Sequence, residues 1–291
     1  MTCLVLAPLV LAQNADTSAY PESASADSTE FARVAKNADG KPSALQLAIV
    51  TYVPADNSSK YSVDLIGAVH IGDQSYYEEL NRRFTEYDAL LYELVIREGA
   101  REVEPGSASK GILSSTQLML GNFLDLTFQL EHIDYRQPNF VHADLTAEEL
   151  GQSMSDKGES LYVYFWRIYF ASMKQYAKDP LGVNDMAAML AAGENYDLKT
   201  RFAYELAGVT DVGDFLGGES GSAIITARNE RALQVLRQQL DTDASRFGIF
   251  YGVAHSPDLE QHLLDDFGLV RDKTVWIDAW QLRTEPGDAV Q

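Results

Sequence analysis

The sequence predicts an α/β protein: a mixed β-sheet core made of two related strand–helix–strand halves, with a large helical insertion over residues 113–216. Three observations carry this reading. The first is the run Val63-Asp-Leu-Ile-Gly-Ala-Val-His70, whose ending returns near the other end of the chain as Phe247-Gly-Ile-Phe-Tyr-Gly-Val-Ala-His255, so that two apolar runs close on Gly-x-x-His. The second is that a helix-like segment and a further apolar run follow each copy, and that run carries an acid at a matching offset. Twenty-three residues separate His70 from Glu93 and His255 from Asp278. The third is the change to helical spacing between the two units. One Gly-x-x-His recurs by chance; two in the same context indicate an internal duplication that brings two histidines to one place.

The elements follow in order. Residues 1–12 hold a short apolar run ending in Val10-Leu11-Ala12. It has the form of a secretory signal peptide and is shorter than the roughly 20 residues a membrane span needs. Export to the periplasm or the extracellular space is the expectation. Residues 13–42 read as a disordered linker, because the Ser-, Ala-, Asp- and Glu-rich stretch 13–30 is too polar to bury a core. The α/β domain then spans 43–285.

Leu45–Val53 and Tyr61–Val69 are β-rich runs joined by the polar segment 54–60, a hairpin signal. Ser75-Tyr-Tyr-Glu78 has the pattern of a capping box, and Tyr77, Leu80, Phe84 and Tyr87 recur at helical spacing. Ala89–Val95 is a continuous apolar strand except for Glu93, and a charge there must be paired or functional. Residues 97–110 form a polar connection. Helices are expected over 117–133, 146–154, 159–178 and 198–207, with an aromatic stripe from Tyr162 to Tyr176 read chiefly as core and Asn139–Asp144 as a short extended piece. The Gly-rich stretch 213–221 is a turn leading into a helix over 222–240. At about 100° per residue, Arg228 and Asn229 fall inside its apolar arc, so the guanidinium needs a carboxylate or a ligand. The second unit has a strand over 246–253, a helix opening at Ser256-Pro257 and a closing strand over 274–280.

Composition narrows the function. A formal charge of −20 repels phosphate backbones and anionic lipid, which argues against nucleic acid and membrane surfaces as partners. Cys3 is the only cysteine and lies in the leader, so thiolate nucleophiles and cysteine-ligated zinc are excluded from the mature chain. Any metal must sit on imidazole and carboxylate. Two histidines and an acid on neighbouring strand ends suit a divalent ion such as manganese, cobalt or zinc. His70, Glu93 and His255 are the candidate ligands, with Glu93 as ligand or general base and Arg228 as a partner for an acid or for a transition-state oxyanion. Asp278, from the repeat symmetry, His142 in His142-Ala-Asp144, and Asn229 are possible additions.

The paired Gly-x-x-His motifs, Tyr92-Glu93 and Ala227-Arg228-Asn229 resemble the TraB/PrgY/TIKI family, also called GumN-like, over about 44–95 and 226–280. That family stands in a wider group with the erythromycin esterases and the haem-binding ChaN proteins. The resemblance implies an α/β core of two related halves with helical insertions. It also implies that His70, Glu93, Arg228 and His255 are the site residues. One branch of the family is described as metal-dependent peptidases, so an exported metallopeptidase acting on peptide or protein substrates is the leading expectation. The alternative is a peptide- or haem-binding protein without turnover on the same fold.

Overall fold

The computed structural model describes residues 30–56, 60–95, 127–156, 195–208 and 223–282. The leader, the polar connection 97–110, the aromatic stripe and the Gly-rich stretch lie outside these residues. Strands are β1 (Ala32–Lys36), β2 (Pro42–Pro54), β3 (Ser62–Ala68), β4 (Ile71–Gly72), β5 (Ala89–Tyr92), β6 (Thr127–Phe128), β7 (Phe140–His142), β8 (Arg246–Gly252) and β9 (Leu269–Gln281). Helices are α1 (Gln74–Phe84), α2 (Gln129–His132), α3 (Ala147–Asp156), α4 (Asn195–Gly208), α5 (Ala223–Leu240) and α6 (Ser256–Asp265).

Among the described residues a seven-stranded mixed sheet runs β1-β2-β3-β8-β5-β7, with β9 on the other edge of β2. β2 and β3 form the antiparallel hairpin read from the sequence, with Ile49 opposite Ile66 and Tyr52 opposite Val63. β3, β8, β5 and β7 are mutually parallel. Their residues are buried on both sides, which is why they read as unbroken apolar runs.

Side chains alternate between two cores, as the period of two requires. β2 sends Leu45, Leu47 and Ile49 to one face and Ala48, Val50 and Tyr52 to the other; β8 sends Phe250 one way and Phe247, Ile249 and Tyr251 the other. The first face is covered by α1 through Tyr76, Tyr77, Leu80 and Phe84. The second is covered by α5 through Ala232, Leu233 and Leu236 and by α6 through Leu259 and Leu263. The stripe expected on α1, Tyr77, Leu80 and Phe84 with Tyr87 beyond it, is therefore the buried one.

Several expectations change. Ordered structure begins about twelve residues before Ser43: Phe31 is buried, and β1 pairs antiparallel with β2 from Ala32 opposite Leu47 to Lys36 opposite Pro42. So the linker expected to reach residue 42 includes a strand. Alternating polar residues hid this short strand, which Phe31 just before it and its partly buried Ala32 and Val34 fasten to the core. α1 starts at Gln74, not after a Ser75 cap. Its N-cap, Asp73, makes no side-chain cap bond because its carboxylate takes the Gln281 backbone N–H and the Lys199 ammonium. A capping box does occur at α3, where Thr146 Oγ1 accepts from the Glu149 N–H at 3.1 Å and Glu149 Oε2 accepts from the Thr146 N–H at 2.8 Å. Within the helix expected over 117–133, the described part is strand β6 followed by the single turn α2, because β6 pairs with β4. The extended piece near His142 is a full member of the sheet, with Tyr92 opposite His142.

Candidate functional site

Two of the crossovers, those that follow the adjacent parallel strands β3 and β8, leave the carboxyl ends of these strands toward opposite faces. β3 passes through α1 on one face to reach β5; β8 passes through α6 on the other face to reach β9. β3 and β8 are neighbours in the sheet, with Ala68 level with Gly252. Two adjacent strands whose connections diverge leave a crevice beyond their carboxyl ends, where α/β sheets place their ligands. His70 follows β3, Gly252 ends β8, Glu93 follows β5, and His142 and Asp144 stand at and just past the end of β7. The strand order thus brings His70, Glu93, His142 and His255 to one end of the sheet.

The centre is a chain of polar side chains. Arg228, projecting from α5, lays its guanidinium between two carboxylates. Its Nε donates to Asp144 Oδ1 at 2.9 Å, and its Nη2 donates to Asp144 Oδ2 at 2.6 Å and to Glu93 Oε1 at 2.7 Å. Asp144 has no exposed side-chain surface. The second oxygen of Glu93 accepts from the Gly252 N–H at 2.5 Å. A Cβ on Gly252 would stand 3.2 Å from that oxygen, so a side chain here would press on the Glu93 carboxylate.

His255, only 4% exposed, closes the chain. Its Nδ1 meets Asn229 Oδ1 at 2.6 Å. The Asn229 amide nitrogen donates to Asp258 Oδ2 at 2.7 Å and to the His255 carbonyl at 3.3 Å, which fixes its oxygen as the acceptor toward the ring. Nδ1 therefore carries hydrogen, and in the neutral ring Nε2 carries the lone pair. That lone pair faces Glu93 Oε1 across 3.8 Å, beyond hydrogen-bond length.

Burial pushes both groups toward neutrality, and the surroundings separate them. Burial lowers the His255 pKa, and the Glu93 charge only partly opposes this, so the imidazole is neutral near pH 7. Burial alone would raise the Glu93 pKa. The facing His255, the Arg228 charge and the Gly252 N–H outweigh it and hold the carboxyl below its ordinary value. Burial would likewise weaken Arg228 as a cation, but Asp144 and Glu93 keep it charged.

His70 is exposed at the end of β3, and Glu93 still feels its charge. Its carbonyl accepts from the Gln129 N–H at 3.0 Å. His142 is committed elsewhere: its Nε2 meets the Leu94 carbonyl at 2.7 Å and its ring meets Tyr92 edge-on at 5.6 Å. Asp278 does not join the site. It bonds Gln46 at 2.7 Å and Gln281 at 3.0 Å on β9, which is separated from β8 by β3 and β2. The reason is topological. The first crossover passes one strand and the second passes two, so equal spacing in sequence gives unequal places in the sheet.

Asp144 is the functional residue that sequence reasoning underweighted. Its signal was an acid closing the apolar run Phe140-Val-His-Ala-Asp144, opposite an arginine that needed a carboxylate. Tyr251, whose hydroxyl donates to the Ala143 carbonyl at 2.5 Å and whose ring meets His255 edge-on, buttresses the same cluster. It gave no separate signal, because an aromatic in a strand reads as core.

Among the described residues no three His, Cys, Asp or Glu side chains are gathered closely enough to hold a metal ion, and no helix is long and apolar enough to cross a membrane. No protein-family model, no curated protein and no solved structure matches this chain.

Proposed function

We propose that the chain is an exported metal-dependent hydrolase that cleaves peptide bonds, of the TraB/PrgY/TIKI type, on a core of two related halves carrying a helical insertion. The observation behind this reading is the His255–Glu93 pair. An imidazole held by Asn229 with its Nε2 lone pair turned toward a carboxylate that stays ionised is the donor arrangement of a metal-binding histidine with its outer partner in place. The donor types suit manganese, cobalt or zinc: His255 Nε2 and Glu93 Oε1 lie 3.8 Å apart, with that oxygen also bonded to Arg228, and His70, exposed past the end of β3, would have to move toward them to serve as the third donor. A bound divalent ion supplies Lewis-acid polarisation of a substrate carbonyl.

The chain's own groups do the rest. Glu93 is ionised at neutral pH and accepts a proton from the attacking water. Arg228 keeps that carboxylate in place through Nη2 and sets a fixed positive charge beside the developing oxyanion. Asp144 anchors the guanidinium by two bonds, so the charge cannot swing away. Asn229 keeps the His255 ring from presenting N–H to the site.

The alternative of peptide or haem binding without turnover draws less support. Of the histidines at this end of the sheet, His255 is buried and His142 Nε2 is engaged by a backbone carbonyl, which leaves exposed His70 as the one imidazole there placed to ligate haem.

The test is elemental mass spectrometry of the protein beside a His70→Ala/His255→Ala variant, followed by peptide-library cleavage after refilling with manganese, cobalt or zinc. Near-stoichiometric metal and cleavage in the parent, with neither in the variant, is the expected result. No metal and no cleavage in the parent after refilling overturns the proposal.

A further inference from the structure

The sheet ends in β9, on the side of β2 away from the strand-end cluster. β9 pairs with β2 along its length, and among the described residues no strand lies on its other side. An edge strand turns the N–H and C=O of every second residue outward, where an added strand can pair with them. One end of this edge is closed by the protein itself. Ala279 C=O accepts from the Asp73 N–H at 2.9 Å, and the Gln281 N–H donates to the Asp73 carboxylate. Next to that closure the edge opens into a groove of about 460 Å³ between β9 and α1. Trp276, Ile277 and Asp278 line it from the strand, and Ser75, Glu79 and Arg83 from the helix. The three helix positions are spaced one turn apart, a stripe about 12 Å long. An extended chain covers that length with about four residues.

The charges in the groove favour one kind of strand. Glu79 is already matched by Arg82 and Arg83, each bonded to it at 2.7 Å. Asp278 is not. Its oxygens accept from the amides of Gln46 at 2.7 Å and Gln281 at 3.0 Å, and among the described residues no cation forms a salt bridge with it. Arg33 lies over the Trp276 ring at 4.1 Å and donates to Gln46 at 2.8 Å instead. The groove therefore presents a carboxylate whose hydrogen-bond partners are neutral, in a chain of formal charge −20. Trp276 and Asp278 share one face of β9, while Ile277 points to the other and joins the core beneath α1. Side chains directly opposite in paired strands stand side by side. We infer that this edge is a docking site for an extended basic peptide, which adds to β9 as a strand alongside α1. A Lys or Arg of the peptide stands opposite Asp278, an apolar residue two positions away stands opposite Trp276, and the residue between them turns toward α1. The inference is independent of the chemistry proposed for the strand-end cluster, since β3 and β2 separate β9 from β8.

The experiment uses the full chain and the amidated pentapeptide Val-Thr-Lys-Thr-Val, labelled at its amino end so that fluorescence anisotropy gives Kd. Counterparts carry glutamate or glutamine in place of lysine. Two more carry N-methyl groups on one alternate set of backbone nitrogens or on the other. Hydrogen exchange of β9 is followed with and without peptide. The lysine peptide is expected to bind more tightly than the glutamate one. Asp278→Asn weakens it by about fivefold, the scale of a half-exposed ion pair, and leaves the glutamine peptide unchanged; Asp278→Lys reverses the preference toward glutamate. One methylated set loses binding and the other keeps it, because only one edge of an added strand faces β9. Ser75→Trp, which fills the groove from an exposed helix position, loses every peptide while unfolding at the parent's temperature. Equal affinity for lysine and glutamate peptides, equal affinity for the two methylated sets, or no saturable binding by the parent overturns the inference. So does protection of the outward β9 amides in the free chain: at every concentration it puts another segment of the chain on this edge, and where it grows with concentration it puts a second copy there.

Discussion

Asn229 sets the state of His255: its oxygen meets Nδ1 at 2.6 Å while its amide nitrogen is held by Asp258 at 2.7 Å, so one side chain fixes both the orientation and the tautomer of the ring. Asn229 is fully buried on α5, and Asp258 lies in the first turn of α6. Helix packing on one face of the sheet is thereby transmitted to the strand-end site on the crevice side.

Asn229→Ala is expected to release the ring. Long-range proton–nitrogen correlation spectra of the parent at neutral pH will show His255 protonated at Nδ1 alone, and the variant a mixture of tautomers. Outer partners of this kind typically change metal affinity or activity by about 10–100-fold. An unchanged tautomer in the variant would refute the assignment.

Arg228→Ala leaves Asp144 and Glu93 as uncompensated buried charges. A loss of about 3–5 kcal/mol in urea unfolding is expected, typical for breaking a buried ion pair from one side. Arg228→Lys will recover only part of it, because an ammonium cannot reproduce the two-bond fork on Asp144.

Stability should fall with acid in two windows. His255 has a folded pKa below its unfolded value of about 6.5, so the unfolded chain binds the proton first and stability declines as pH drops below about 6.5, until the folded pKa is passed. Glu93 also has a folded pKa below its unfolded value of about 4.3, so its contribution is present above that value and is lost as pH falls further, through the folded pKa. Urea midpoints from pH 8 to pH 3 test this, and His255→Gln should abolish the upper window and shrink the lower one, because Glu93 loses the largest contribution that holds its pKa down.

Two glycines on β8 should separate site from core. An added methyl at Gly252 meets Glu93 Oε2 at 3.2 Å, so Gly252→Ala is expected to disturb the carboxylate with little loss of fold. A methyl at Gly248 meets Leu90 Cδ1 at 2.5 Å and Ile66 Cδ1 at 3.2 Å within the core, and Gly248→Ala should cost about 1–3 kcal/mol by overpacking. Thermal unfolding of both, with peptidase assay of the first, distinguishes the two effects.

The sequence by itself marked the mixed sheet, the helices at the positions of α1, α5 and α6, and His70, Glu93 and His255 at or near strand ends, because these follow from local periodicity and from a motif that recurs within the chain. It also marked Arg228 and Asn229, since polar groups on an apolar helix arc must find partners. Tertiary structure alone decided what those partners are. Asp144 lies 84 residues from Arg228, and Asp258 lies 29 from Asn229; no local spacing pairs them. Strand order excluded Asp278 despite its matching offset, because the number of strands a crossover passes is set by packing on the far side of the sheet. β1 stayed hidden for a related reason: an edge strand of mixed polarity is held by contacts only the assembled chain makes, with β2 beside it and α4 against it.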